Sequence, residues 1–102
     1  MTTLNDQDRG RTVDVKAQSF LTVRLEENPS TGYVWKVENA EGLEMLGISF
    51  ERGSGSIGAA GVRIFQFRTS EAGSHNLSIK KWREWEGESS IIDRFHAVIV
   101  VK

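Results

Sequence analysis

Residues 20–35 read FLTVRLEENPSTGYVW. The first half alternates, with Leu21, Val23 and Leu25 on one side and Thr22 and Arg24 on the other. The end repeats the pattern, with Tyr33, Trp35 and then Val37 sharing a side. In an extended chain successive side chains point to opposite faces, so period two marks a strand with one buried face. Between the halves lies the only proline of the chain, followed three residues later by a glycine. Pro29 sets its own φ and drives Asn28 out of the helical region. Gly32 is free to take the positive φ that turns the chain back into a strand. The stretch is therefore strand, sharp loop, strand.

The same period extends in both directions. Val13 and Val15 alternate in RTVDVK, Phe65 and Phe67 in VRIFQFR, and Leu77, Ile79 and Lys81 in NLSIKKW. The last strand carries Phe95, Ala97, Ile99 and Val101. LEMLGISF, 43–50, is less regular but short, apolar and bounded by Gly42 and Gly53. No window of a dozen residues has a 3.6-residue period, and 39–45 and 70–73 have room for a helical turn at most. About seven short strands separated by Gly, Asn and Ser predict an all-β, immunoglobulin-like antiparallel β-sandwich. Its core is expected on Trp35, Phe50, Phe65, Phe67 and the last strand. Residues 1–10 read as a flexible arm and 11–102 as one domain.

Composition excludes several functions. The chain has 102 residues and a net charge of -1, so it projects no field toward nucleic acid or an anionic membrane. It has no cysteine, hence no disulfide, no thiolate nucleophile and no thiolate metal site. No apolar run approaches the roughly 18 residues of a membrane span. The polar N-terminus lacks the apolar region of a signal peptide. That places the chain in the cytoplasm if Met1 is its native start, and in the periplasm or outside if a leader has been removed. No cofactor is implied, and nothing requires more than a monomer.

The loops carry more information than the strands. In an antiparallel sandwich the connections fall at alternate ends, so those after the second, fourth and sixth of the seven expected strands share one end. They are ENPSTG, ERGSGSIGAAG and REWEGESS. The first offers a stiff tip with two small hydroxyls, Ser30 and Thr31, and the second a bare backbone that allows close approach. The third has Arg83 and Trp85, residue types enriched at binding hot spots. Trp85 lies between Glu84 and Glu86, which favours exposure.

These loops also carry a resemblance. NPSTGYVW is similar to the NP-T-TGY-x-W signature of the chagasin family of cysteine-protease inhibitors. IGAAG resembles that family's Gly-x-Gly-Gly loop at 58–61, and REWEG its Arg-Pro-Trp-x-Gly loop at 83–87. AGSH at 72–75 is similar as well, and the motifs run in order over 21–101. Two positions depart: Ala60 stands for a family glycine and Glu84 for a family proline.

The resemblance implies reversible inhibition of papain-like cysteine proteases. Asn28, Pro29, Ser30, Thr31 and Gly32 would enter the cleft, with Thr31 nearest the catalytic centre and Asn28 bracing the loop from within. Gly58, Ala59, Ala60 and Gly61 would lie along one wall through main-chain contacts. Arg83 and Trp85 would pack on the other wall.

Rival readings rest on weaker features. The two histidines, His75 and His96, have no metal-binding spacing, and Asp93 and His96 fall on opposite faces of one strand. Glu84, Glu86 and Glu88 share a parity and read as a solvated rim. Asn76-Leu77-Ser78 fits a glycosylation sequon but sits inside a strand pattern. An enzyme is therefore not expected. A carbohydrate- or protein-binding module presenting Trp82 and Trp85 remains the alternative.

Overall fold

The strands with the cleanest alternation become the inner strands of two packed sheets. A computed structural model describes residues 1–53 and 60–102. Among them eight strands occur: β1 Thr2–Asn5, β2 Thr12–Val15, β3 Phe20–Glu27, β4 Val34–Asn39, β5 Leu43–Glu51, β6 Gly61–Thr69, β7 Gly73–Trp82 and β8 Asp93–Val101. One sheet has the order β1-β3-β6-β5 and the other β2-β8-β7-β4.

In the first sheet Leu21 pairs with Phe67 and Val23 with Phe65; in the second Leu77 pairs with Ala97 and Ile79 with Phe95. All eight are fully buried, and Trp35, Ile99 and Val101 complete the layer between the sheets. The core thus sits where period two predicts it, because one face of every inner strand is apolar.

Phe50 is an exception to the expected core. It is half-buried near the end of edge strand β5, where its ring lies 4.9 Å from the Arg63 guanidinium. The irregular reading of LEMLGISF has a physical cause. Met45 pairs with Phe67 and Gly47 with Gln66, so Leu46 is the extra residue of a β-bulge. As an edge strand, β5 leaves Met45, Leu46 and Ile48 exposed.

Two further expectations are corrected. The sandwich is not purely antiparallel: β1 adds to β3 and β2 to β8 in parallel. Residues 1–10 are not a loose arm. Thr2–Asn5 pairs with residues 21–24 of β3, and Leu4 is buried in the core. Asn5 then caps a 3-10 turn, Asp6–Asp8, and the Asn5 amide bonded to Asp8 holds that carboxyl below its usual range. TTLN has a single apolar residue and hence no period to detect. The segments 39–45 and 70–73, with room for a helical turn at most, hold none, and the 3-10 turns among the described residues lie elsewhere. They fall at Asp6–Asp8, Pro29–Thr31, Glu84–Glu86 and Glu88–Ser90.

Strand parity holds for the rest. The end of β3 pairs with the start of β6, and Glu51 at the end of β5 pairs with Val62. The start of β4 pairs with the end of β7, which pairs with the start of β8. The connections β3–β4 and β7–β8 and the described roots of β5–β6 therefore meet at one pole.

Candidate functional site

The 28–32 loop is built from its own polar atoms. The Asn28 Oδ1 accepts hydrogen bonds from the Ser30 amide at 3.1 Å and the Ser30 hydroxyl at 2.7 Å. The Thr31 hydroxyl donates to the Asn28 carbonyl at 2.8 Å and accepts from the Tyr33 amide at 3.3 Å. Pro29 occupies the first turn of the 3-10 segment, where a missing amide costs nothing, and Gly32 closes it at φ 79°. The tip is short, prepaid in conformational entropy and exposed at Ser30 and Thr31.

The β7–β8 connection folds as two successive 3-10 turns. Ser90 ties them: its hydroxyl accepts from the Arg83 amide at 3.0 Å and lies 2.9 Å from the Arg83 carbonyl and 2.6 Å from that of Gly87. This arrangement lifts Trp85 to 72% exposure. One edge of the indole lies over Gly32, where an added Cβ would come within 2.6 Å of Trp85 Cη2. Gly32 is thus required twice, for its φ and for the space the indole takes.

Arg83 reaches across to the 28–32 loop. Its Nε and Nη2 donate to the Thr31 carbonyl at 3.2 and 3.1 Å, and its Nη1 pairs with Glu86 at 3.2 Å. The guanidinium stacks 4.3 Å from the Tyr33 ring centroid. The sequence groups Arg83 with Trp85 as two surface residues; the structure gives one to the solvent and the other to the neighbouring loop.

Of the second loop, Gly58 and Ala59 lie outside the described residues. Ala60 is half-buried and Gly61 buried. Gly61 pairs with Glu27, and a Cβ there would collide with Phe50 and the Glu51 carbonyl. The root of this loop is joined to the first by a buried ion pair. Glu27, fully buried, accepts from Arg63 Nη2 at 2.6 Å and Nε at 3.1 Å and from the Trp35 amide at 2.8 Å. The Trp35 indole donates to the Glu26 carbonyl at 2.9 Å.

Sequence reasoning missed Glu27 and Arg63, although a signal was present. Glu27 continues the inward parity of Leu21, Val23 and Leu25, and Arg63 that of Phe65 and Phe67. Two opposite charges at inward positions of adjacent strands must find each other, because an unpaired buried charge is too costly.

The remaining charges form a rim. Lys36 approaches Glu84 at 3.8 Å, and Lys80, itself buried and 3.6 Å from the Trp82 ring centroid, pairs with Glu88 at 2.7 Å. The two histidines are elsewhere. His75 packs against Gly42 at the opposite pole, and His96 pairs with Ser78 within the sheet. Among the described residues no group of three or more His, Asp or Glu side chains is placed to hold a metal ion.

The model of the family described as "Chagasin family peptidase inhibitor I42" matches residues 14–99. Chagasin from Trypanosoma cruzi is 28% identical over 93 residues, covering 84% of each chain. The structure of the cysteine protease inhibitor EhICP2 from Entamoeba histolytica superposes with a TM-score of 0.87 at 20% identity, covering 99% of this chain and 95% of that one. PbICP-C, solved in complex with falcipain-2, gives a TM-score of 0.72 at 13% identity over the whole of both chains.

Proposed function

Because this chain belongs to the chagasin family of peptidase inhibitors, we propose that it is a reversible inhibitor of papain-like cysteine proteases, a plug for the active-site cleft rather than an enzyme. The observation that carries this reading is the contact between the 28–32 tip and the β7–β8 loop, with Trp85 over Gly32 and Arg83 on the Thr31 carbonyl. Two segments over 50 residues apart form one surface there, and its exposed elements are a narrow hydroxyl-bearing tip and a large indole.

Such a surface suits a groove between two lobes. Ser30 and Thr31 enter; Trp85 covers one wall; residues 58–61 run along the other. Because the 28–32 and β7–β8 loops are braced before binding, little ordering entropy opposes their part of the complex. An interface of about 800 Å² per partner, the usual size for protease–inhibitor pairs, is within reach of three loops. Relatives point to the same target class, since EhICP2 is described as a cysteine protease inhibitor and PbICP-C is bound to falcipain-2.

Titrating papain with the protein, using a fluorogenic peptide as readout, tests this. Activity should fall linearly to near zero at one equivalent and return on dilution. Full papain activity at a large excess of the protein would refute the reading. Glycan or partner binding through Trp85 without inhibition would replace it with the binding-module alternative.

A further inference from the structure

We propose that Arg83 is what makes the 28–32 loop an inhibitor rather than a substrate: by holding the Thr31 carbonyl oxygen it protects the Thr31–Gly32 peptide bond from the protease whose cleft the loop occupies. This rests on the functional reading above.

A thiol protease cuts a bond only when the carbonyl carbon faces the sulfur and the carbonyl oxygen sits among the oxyanion-hole donors, about 3 Å from each. A carbonyl oxygen has two lone pairs. At Thr31 the oxygen receives two guanidinium N–H groups at 3.2 and 3.1 Å. Donation of this kind polarises the carbonyl and by itself raises the electrophilicity of the carbon. Position outweighs polarity here. To reach an oxyanion hole the oxygen must leave Arg83, breaking charge-assisted hydrogen bonds and pulling the guanidinium from the Tyr33 ring and Glu86.

The rest of the loop explains why a single residue matters. The Asn28 carbonyl accepts from the Thr31 amide and hydroxyl, and the Pro29 carbonyl from the Gly32 amide, all within the loop. The Thr31 carbonyl, by contrast, is held from the β7–β8 loop, 52 residues away. On its far side the Gly32 backbone is covered by the Trp85 ring.

Without Arg83 the ordinary reaction becomes open. The protease thiolate sulfur bonds to the Thr31 carbonyl carbon, and the C–N bond to Gly32 breaks with its electron pair on nitrogen. That nitrogen takes a proton from the enzyme's histidine. Water then splits the thioester, leaving a Thr31 carboxylate and the free thiol.

The test compares wild type, Arg83→Ala, Arg83→Lys and Trp85→Ala, each incubated with papain and followed by intact-mass spectrometry after a thermal melt confirms folding. Arg83→Ala should be cut at Thr31–Gly32 about a hundredfold faster than wild type, the effect expected when a reacting carbonyl is repositioned by about 1 Å. Arg83→Lys, with a single donor nitrogen in place of the two-nitrogen fork, should be cut at the same bond at an intermediate rate, and it carries the test if Arg83→Ala does not fold. Trp85→Ala should bind less tightly yet stay intact. Three results overturn the inference: an uncut Arg83 variant, cleavage only at other bonds, or equal cleavage of Trp85→Ala, which would make weak binding the cause. Failure of wild type to slow papain at all would instead overturn the functional reading beneath it.

Discussion

The two poles of the sandwich are closed by different means. At the pole opposite the loops, main chain and short or compact side chains do the closing, Thr69 foremost among them. Thr69, fully buried, receives the Ser19 amide on its Oγ1 at 3.0 Å and donates to the Lys16 carbonyl at 2.6 Å. Its own amide and carbonyl bond to Ser19 and Gln18. At the loop pole the closure is made by long side chains that reach between segments: Arg63 to Glu27, Trp35 to the Glu26 carbonyl, Arg83 to Thr31. Bonds of this short reach keep the turns close to the sheets. Side-chain struts let the loops stand out from the sheets while keeping one shape. The difference teaches that the binding surface can be disarmed without unfolding the domain, except at the struts that are also buried.

That exception sets the largest expected effect. Glu27→Ala leaves the Arg63 guanidinium without its partner in a mostly buried site and should cost about 3 kcal/mol or more in urea denaturation. It should weaken inhibition as well, since the roots of two loops lose their tie. If stability changes by less than 1 kcal/mol, the pair behaves as a surface bridge and the contrast between poles collapses.

Trp85→Ala is the opposite kind of change. The indole is 72% exposed, so the melting temperature should hold while the inhibition constant rises about thirtyfold, corresponding to about 2 kcal/mol of hot-spot energy. A constant within twofold of wild type would remove Trp85 from the surface we describe.

Thr69→Val asks the matching question of the other pole. It removes buried hydrogen bonds and should lower stability by about 1–2 kcal/mol with no change in inhibition. A parallel loss of inhibition would show that the poles are coupled through the sheets.

Glu84→Pro is the smallest change. Glu84 opens a 3-10 turn, and Arg83 before it has φ -102° and ψ 112°, the extended conformation that a following proline demands. The ion pair lost, Lys36 to Glu84 at 3.8 Å, is exposed on both sides and contributes little. Binding should tighten by about 0.4–1 kcal/mol through a stiffer loop. Weaker binding would mean that Glu84 itself touches the partner.

Legibility followed distance along the chain. The alternation of Leu21, Val23 and Leu25 is a local property, and so are Pro29 and Gly32 in their turn; each can be read from a few neighbours. β1 was not legible because its four residues have one apolar side chain and pair in parallel with a strand some 20 positions away. The β5 bulge blurred a real strand for a similar reason, since only the register with β6 shows Leu46 to be extra.

What the sequence by itself determined is the place of most strands along the chain, the inward face of the inner ones, the turn chemistry of NPSTG and, through parity, the end at which the loops emerge. These follow from steric limits on single residues and from the two-residue period of an extended chain. Only the tertiary structure decided that Arg83 reaches across to Thr31, that Trp85 rests on Gly32, and that Glu27 and Arg63 neutralise each other. Parity marks Glu27 and Arg63 as inward, but nothing local names a partner 36 or 52 positions away. Their pairing exists only once packing of the core has brought the loop roots within hydrogen-bonding distance.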